Sequence, residues 1–276
     1  MRITDCHMHI RGAAASPADV LKGMDKNGVS RIILLSESER TSLDRTREKL
    51  LATKKLADAA PDRITALARL EPTIPGMNEL VKEVLGEMGF AGIKIIPDHW
   101  YAHDKRLQAW WQTLNDLGAR VLFHTGILYA FEDGSRFTRP LYLEALLNYP
   151  KIRFAMAHIS WPWCDECLAV MGRLRAAAGY KNDGWQSYID ITPGPPEYIR
   201  KQALANAISF CGAERIMFGS DDCAPVSGYG KYAEFEGQRK ALESYMRIFD
   251  ELELTQAQRE RIMSGTADEL FPPRRS

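Results

Sequence analysis

The sequence predicts an α/β protein, a (β/α)8 barrel in which eight parallel strands alternate with helices. Eight strand-like apolar runs recur about thirty residues apart, which is the length of one strand, loop and helix unit. Most of the runs are apolar at both odd and even positions, as expected for parallel strands buried on both faces. Helical patterns fill the intervals between the runs, and these three observations together favour a barrel.

The predicted elements have clear boundaries in the sequence. The strands cover residues 2–10, 30–36, 63–72, 92–97, 119–127, 152–160, 187–193 and 215–221. The first helix has Ser16 as a candidate N-cap and Pro17 at its first position, and most of the others end at a Gly or before a Pro. The helices cover residues 16–28, 46–60, 77–89, 105–118, 139–150, 167–179, 195–212 and about 234–252, with a short one near 255–263.

A doubly wound open sheet is the alternative arrangement of the same elements. Such a sheet normally carries a glycine-rich phosphate-binding turn after its first strand. Here the first strand ends in HMHIRG instead, so the barrel is preferred. No linker, low-complexity segment or change of composition marks a second domain, and we expect residues 1–276 to form a single barrel domain.

The composition points to a small-molecule partner. The 36 Lys and Arg residues balance the 36 Asp and Glu residues, which argues against nucleic acid or an anionic membrane as the main partner. The N-terminus lacks an apolar signal region, and no apolar run approaches a membrane span. Five cysteines, an odd number, suit a reducing compartment. We therefore expect a cytoplasmic protein, with a homo-oligomer left open.

The stretch TDCHMHI, residues 4–10, places two of the six histidines at the end of the first strand. Residues i and i+2 of a strand point to the same face, so the rings of His7 and His9 can aim at one point. By itself, an H-x-H pair is more often an ordinary pair of strand residues than part of a site. The pair therefore needs support from other residues.

That support comes from the remaining histidines. His124 ends strand five, His158 ends strand six and Asp221 ends strand eight, while His99 and His103 follow strand four. In barrels of this kind the catalytic groups lie at the carboxyl ends of the strands. Imidazoles with one carboxylate are a common ligand set for Zn²⁺ or a related divalent ion, which lowers the pKa of a bound water toward neutrality. The pattern predicts a metal site.

The motifs resemble those of the amidohydrolase superfamily, and more narrowly its "amidohydrolase 2" branch. They are H-x-H in strand one, H-T-G in strand five, a histidine in strand six and G-S-D in strand eight, and the similarity continues to SGTADELF. Thr266 stands where the branch commonly has Asn. The resemblance implies a TIM barrel with one divalent metal ion, Zn²⁺ as first choice. The ligands it implies are His7, His9, His124 and Asp221, with His158 and Asp221 as catalytic acid/base groups.

The branch contains many hydrolases, and it also includes the aminocarboxymuconate-semialdehyde and resorcylate-type decarboxylases. Hydrolysis of a small ester, lactone or amide by a metal-activated water is the preferred interpretation. Non-oxidative decarboxylation of a small carboxylated substrate is the alternative, in which the metal holds an oxygen of the substrate. A third possibility is a catalytically inactive barrel that binds a ligand.

Three single residues and one cysteine pair allow rival interpretations. Lys94 raises the possibility of two metal ions, because a carboxylated lysine in strand four bridges the ions of dinuclear relatives. In that arrangement His158 would bind the second ion. A single metal ion is the preferred interpretation. Asp5 lies on the face of His7 and could orient its ring, or make a plain polar contact. Asp222 points away from the site. The pair C-x-x-C at 164–167 lacks a second pair and is expected to be structural.

The substrate-binding residues stay unassigned. Aromatic and arginine side chains are frequent in the loops after strands five and six, a combination that suits a planar or carboxylated molecule. For each residue alone, packing at the barrel mouth, against helix six or against another subunit is the slightly preferred interpretation. These residues are Tyr129, Phe131, Arg136, Arg139, Trp161 and Trp163.

Overall fold

In a computed structural model of the chain, the described residues form nine strands of one continuous parallel sheet, with the helices outside it. The structure describes residues 1–9, 16–37, 39–181, 184–223 and 235–273. Each strand pairs with the next along the chain, from β1 to β8. The strands are Thr4–His9 (β1), Arg31–Leu35 (β2), Ile64–Arg69 (β3), Gly92–Ile95 (β4), Arg120–Phe123 (β5), Arg153–Met156 (β6), Ser187–Asp190 (β7), Ile216–Met217 (β8) and Asp222–Cys223 (β9).

The short strands β8 and β9 are two halves of one segment: β8 lies within the predicted eighth strand, 215–221, and β9 begins just after its predicted end. β8 pairs with β7 and β9 pairs with β1, so this segment closes the ring. Between the two halves, the Cys6 amide donates a hydrogen bond to the Phe218 carbonyl (3.0 Å), and the Asp221 amide donates to the His7 carbonyl (2.9 Å). The predicted (β/α)8 barrel is confirmed, and its last strand is interrupted where Asp221 lies.

The helices follow the strands as predicted. Ser16 caps the first helix by accepting a hydrogen bond from the Asp19 amide (3.1 Å). The α-helices are Pro17–Lys26 (α1), Leu43–Ala59 (α2), Met77–Leu85 (α3), Gln108–Asp116 (α4), Cys164–Ala177 (α5), Glu197–Cys211 (α6), Glu236–Glu251 (α7), Gln256–Glu260 (α8) and Thr266–Leu270 (α9). No helix in the described part of the chain is long and apolar enough to cross a membrane.

Three predicted helices differ in detail. The segment 139–150 is a 3₁₀ helix, Pro140–Asn148, whose buried residues Pro140, Leu143 and Leu146 are three apart, the spacing that a three-residue turn brings to one face. A 3₁₀ turn, Lys105–Leu107, precedes α4. The predicted short helix near 255–263 is α8 followed by a π-helical turn, Arg261–Gly265.

The barrel interior divides into an apolar floor and a polar rim. Ile33, Leu67, Leu122 and Tyr188, from β2, β3, β5 and β7, are fully buried in the interior cluster. A larger apolar cluster fills the space between the sheet and the helices. Since the floor is closed by apolar side chains, chemistry is confined to the carboxyl ends of the strands.

Candidate metal centre

Three donor atoms meet at the carboxyl end of the barrel. His7 Nε2 lies 3.2 Å from His9 Nε2, and Asp221 Oδ1 lies 3.3 Å from His7 Nε2 and 3.1 Å from His9 Nε2. Ligands bound to one divalent ion at about 2.1 Å stand about 3.0 to 3.4 Å apart. The donor atoms therefore have both the chemistry and the spacing that a divalent ion requires.

Asp190, at the end of β7, orients the ring of His7. Its Oδ2 atom lies 2.6 Å from His7 Nδ1, and both side chains are buried. Burial lowers the pKa of His7 well below its ordinary value, and the Lys94 ammonium acts in the same direction. The neutral ring therefore carries its proton on Nδ1, which leaves the Nε2 lone pair for a metal.

Asp221 sits in the interruption between β8 and β9 with a φ of 57°. This left-handed conformation is uncommon for residues other than glycine, and such positions concentrate at functional sites. Its side chain remains 37% exposed. Burial alone would raise the pKa of Asp221, but the adjacent His7 and His9 hold it well below the ordinary range, so the carboxylate is ionised and able to bind a cation.

Of the two interpretations of Asp5, the structure shows the polar contact and not the orientation of a histidine ring. Its Oδ1 atom accepts hydrogen bonds from the amides of His7 (3.1 Å) and Ser220 (3.0 Å), and its Oδ2 atom accepts from Ser220 Oγ (2.6 Å) and Gln238 Nε2 (2.8 Å). Burial raises the pKa of Asp5 to about 6. The residue fixes the backbone that carries Asp221.

His158 and His124 complete the polar rim. The ring of His158 lies 5.2 Å from that of His7 and 4.8 Å from that of His124, between centroids. Burial lowers the pKa of His158 to about 4, so its ring is neutral at pH 7. His124 Nε2 lies 3.3 Å from the Ile127 carbonyl oxygen. The three-donor group itself consists of His7, His9 and Asp221, and His124 stands beside it.

Lys94 points into the barrel rather than outward. It is fully buried, and its Nζ atom lies 3.3 Å from His7 Nε2. Burial lowers the pKa of Lys94 to about 8, while Asp190 and Asp221 act in the opposite direction. Its place directly beside the donor atoms is compatible with the dinuclear alternative as well as with a cation next to a single metal.

A cavity of about 470 Å³ opens above the donor atoms and includes an arginine that was not anticipated. His9, His158 and Asp221 line the cavity together with Arg69, which ends β3. Among the described residues, no carboxylate lies within ion-pair distance of the Arg69 guanidinium, and its side chain donates no hydrogen bond to them. The group lies 5.7 Å from the centre of the Phe131 ring. Its position at a strand end was the signal that could have identified it.

Arg136 and Arg139, for which the sequence left substrate binding and packing open, pair with carboxylates. Arg136 pairs with Asp133 (3.0 Å), and Arg139 pairs with Glu166 at the start of α5. Arg139 also stacks on Trp163, 5.5 Å from the ring centre. Neither arginine lines the cavity. Of the loop aromatics, the cavity contains Tyr129, Phe131 and Trp161.

The two remaining sequence features are structural, as expected. Burial raises the pKa of Cys167 to about 12, and its sulfur lies 3.9 Å from Met156 Sδ. Cys164 is partly buried and free. The Asp222 carboxylate accepts hydrogen bonds from the amides of Cys223 and Gln238, both 2.8 Å, and so holds the start of α7.

The sequence model of the amidohydrolase family, "Amidohydro_2", matches residues 4–272, which is nearly the whole chain. The chain belongs to the amidohydrolase family. This confirms the resemblance that the histidine and aspartate motifs indicated. No curated protein sequence matches this amidohydrolase at a significant level.

Many solved structures share the fold of this amidohydrolase. A 5-carboxyvanillate decarboxylase from Sphingomonas paucimobilis has a TM-score of 0.70 and 12% identity, with 99% of each chain covered. A candidate 2-pyrone-4,6-dicarboxylic acid hydrolase from Pseudomonas putida has a TM-score of 0.68 and 17% identity, covering 100% of this chain and 99% of that one. A dihydroxybenzoic acid decarboxylase from Polaromonas with bound manganese has a TM-score of 0.66 and 16% identity, covering 100% and 98%. At these identities the likeness establishes the fold.

Proposed function

We propose that this amidohydrolase is a metal-dependent decarboxylase of a small, planar, carboxylated molecule. The observation that carries the proposal is one cavity that contains both a cation-binding group and an anion-binding group. His9 and Asp221 supply the first, and the guanidinium of Arg69, which pairs with no carboxylate among the described residues, supplies the second. A substrate that offers an oxygen to a metal and a carboxylate to an arginine satisfies both.

The residues fit one divalent ion of the zinc or manganese class. His7, His9 and Asp221 are the proposed ligands, and His124 is the proposed fourth donor at their side. A bound ion would polarise substrate oxygens and stabilise the negative charge that develops when a carbon–carbon bond breaks. The family model and a similar structure that holds manganese support a divalent metal.

Arg69 and the aromatic side chains would orient the substrate. A guanidinium can bind a carboxylate through two parallel hydrogen bonds, and partial burial strengthens them. Phe131 and Trp161 supply flat apolar surface on the cavity wall. A volume of about 470 Å³ falls in the range of small-molecule sites, about 300 to 1,000 Å³. These features favour a ring of modest size over a polymer.

The reaction needs a proton as well as an electron sink. When the bond to the carboxyl group breaks, its electron pair stays on the substrate carbon and CO₂ leaves; the carbon then takes up a proton. His158 lines the cavity and is the proposed proton-handling group, with Asp221 as the second. The proton comes ultimately from water. The overall change converts the substrate carboxylate and one proton into CO₂ and a ring that carries hydrogen where the carboxylate was.

Hydrolysis is the second candidate, with the same ligands and a metal-activated water as nucleophile. It is favoured by the similar structure of a candidate 2-pyrone-4,6-dicarboxylic acid hydrolase, whereas two other similar structures are of decarboxylases. All three names describe planar, carboxylated rings. The names therefore support the proposed substrate class more strongly than the reaction type. Between the two reactions, we prefer decarboxylation to hydrolysis.

We also propose that the protein acts in the cytoplasm on a small molecule. All five cysteines are free, which suits a reducing compartment. The zero net charge gives no reason to propose a nucleic-acid partner.

The proposal is tested with zinc- or manganese-loaded protein and a panel of hydroxybenzoates, carboxyvanillates and pyrone carboxylates in H₂¹⁸O. We expect CO₂ release and a product without ¹⁸O. A product acid that contains ¹⁸O with no CO₂ would instead establish the hydrolase. A His7→Ala protein serves as the control for metal-dependent turnover. Loaded protein that turns over no member of the panel would contradict the proposed substrate class.

A further inference from the structure

Two residues of one strand end hold the two buried histidines of the site. Asp190, the last residue of β7, binds His7 Nδ1 through Oδ2 and accepts the Thr192 amide through Oδ1 (2.6 Å). Thr192, two residues later, places its hydroxyl 2.8 Å from His158 Nδ1. The segment Asp190–Thr192 therefore contacts the Nδ1 atom of both rings, once with a carboxylate and once with a hydroxyl.

The carboxylate can only accept, so His7 must carry its proton on Nδ1. The hydroxyl of Thr192 can donate or accept. It is fully buried, and within the described residues its hydrogen-bond partner is His158 Nδ1. If His158 donated from Nδ1, the hydroxyl proton would be left buried without an acceptor, and an unmade buried hydrogen bond is costly. The arrangement that satisfies both groups has the hydroxyl donating to Nδ1.

We infer that the segment Asp190–Thr192 gives the two histidines opposite tautomers. Asp190 holds His7 with a bare Nε2, which suits a metal ligand, and Thr192 holds His158 with a proton on Nε2. Thr192 is thus a positioning residue for His158. The His158 Nε2–H group is presented to the cavity as a hydrogen-bond donor for a substrate oxygen.

The packing around this segment supports a specific role. Two glycines leave room for it: a Cβ atom at Gly194 would lie 2.6 Å from His158 Cβ, and one at Gly219 would lie 2.6 Å from Thr192 Cγ2. Contacts this short do not occur between real side chains. The backbone at Gly194 therefore packs directly against His158, and the backbone at Gly219 packs directly against Thr192. This packing holds the Thr192 hydroxyl against the His158 ring.

This inference rests on the proposed site but not on a particular reaction. The His158 Nε2–H group would donate a hydrogen bond to a substrate oxygen in decarboxylation, and to the carbonyl oxygen in hydrolysis. It would not act as a base through Nε2 from the resting state. The inference therefore narrows the role of His158 from a general acid or base to a group that donates a hydrogen bond from Nε2.

The test uses zinc-loaded full-length protein labelled with ¹⁵N-histidine. Two-bond ¹H–¹⁵N spectra distinguish the two tautomers of a neutral imidazole, because the protonated and the bare nitrogen have well-separated ¹⁵N shifts. The His158 signals are assigned by their loss in His158→Asn. We expect Nε2–H for His158 in the wild type and in Thr192→Ser, which keeps the hydroxyl. Thr192→Val, of nearly the same shape, should shift His158 partly or wholly to Nδ1–H.

A wild-type His158 with its proton on Nδ1 would overturn the inference. So would an unchanged Nε2–H pattern in Thr192→Val, since the hydroxyl would then have no influence. Thermal unfolding of both Thr192 variants separates misfolding from a change of tautomer, and Thr192→Ser keeps the test valid if the valine protein does not fold. The result is independent of any substrate, so a failure of the proposed decarboxylation would leave it standing.

Discussion

Asp190→Asn is expected to weaken metal binding without removing a metal ligand. The wild-type carboxylate accepts two buried hydrogen bonds of 2.6 Å, from His7 Nδ1–H and from the Thr192 amide. An asparagine has one oxygen, so it can accept only one of them, and its NH₂ group must face the other donor. If the NH₂ group faces His7, the ring is driven to the tautomer with a proton on Nε2, which occupies the lone pair that the metal needs.

The size of the effect follows from the position of Asp190 behind a ligand. Changing a residue that orients a metal-binding histidine typically costs about 10- to 100-fold in metal affinity, or about 1.4 to 2.8 kcal/mol. The measurement is a competition titration against a chromogenic chelator. Asp268→Asn is the matched control, since Asp268 is a partly buried carboxylate bound to Arg31 near the start of β2 (2.6 Å). Metal affinity in Asp190→Asn no lower than in Asp268→Asn would refute the reasoning.

Two further substitutions test the cavity and its packing. Arg69→Met should lower kcat/KM for a carboxylated substrate by about 30- to 1,000-fold, because a buried charge pair that loses one partner loses about 2 to 4 kcal/mol. Arg136 is the control, since its side chain is 60% exposed beside Asp133, and Arg136→Met should change kcat/KM little. Equal losses in the two variants would contradict the assignment of Arg69. Gly194→Ala should reduce the free energy of unfolding in urea by about 1 to 3 kcal/mol through the overlap with His158, whereas wild-type stability would show that the backbone relaxes freely.

The core of the site could be predicted because it depends on local rules. His7 and His9 share a face of β1 by the two-residue repeat of a strand. The carboxyl ends of parallel strands meet at one rim, which brings Asp221 to them from the other end of the sequence. Strand order and period were enough for this, and the structure places all three donor atoms within hydrogen-bond distance of one another.

The residues that the sequence did not reveal depend on side-chain contacts between distant segments. Asp190 binds a ring 183 positions away, and a single aspartate at a strand end gives no sign of which residue it will hold. The sequence left both substrate binding and packing open for Arg139, and only the contact with Glu166 of α5 shows which of the two applies. Arg69 ends a strand as the histidines do, and extending the strand-end rule to every polar residue would have identified it together with Asp190.

The number of metal ions per chain tests the account most directly. We expect elemental analysis to find one tightly bound divalent ion in the wild type, and close to none in Asp221→Ala. His158→Asn should keep one ion per chain while losing activity by about 10² to 10⁴, the usual contribution of a proton-handling group. Two ions in the wild type, one of them lost in both His158→Asn and Lys94→Ala, would contradict a single metal held by His7, His9 and Asp221.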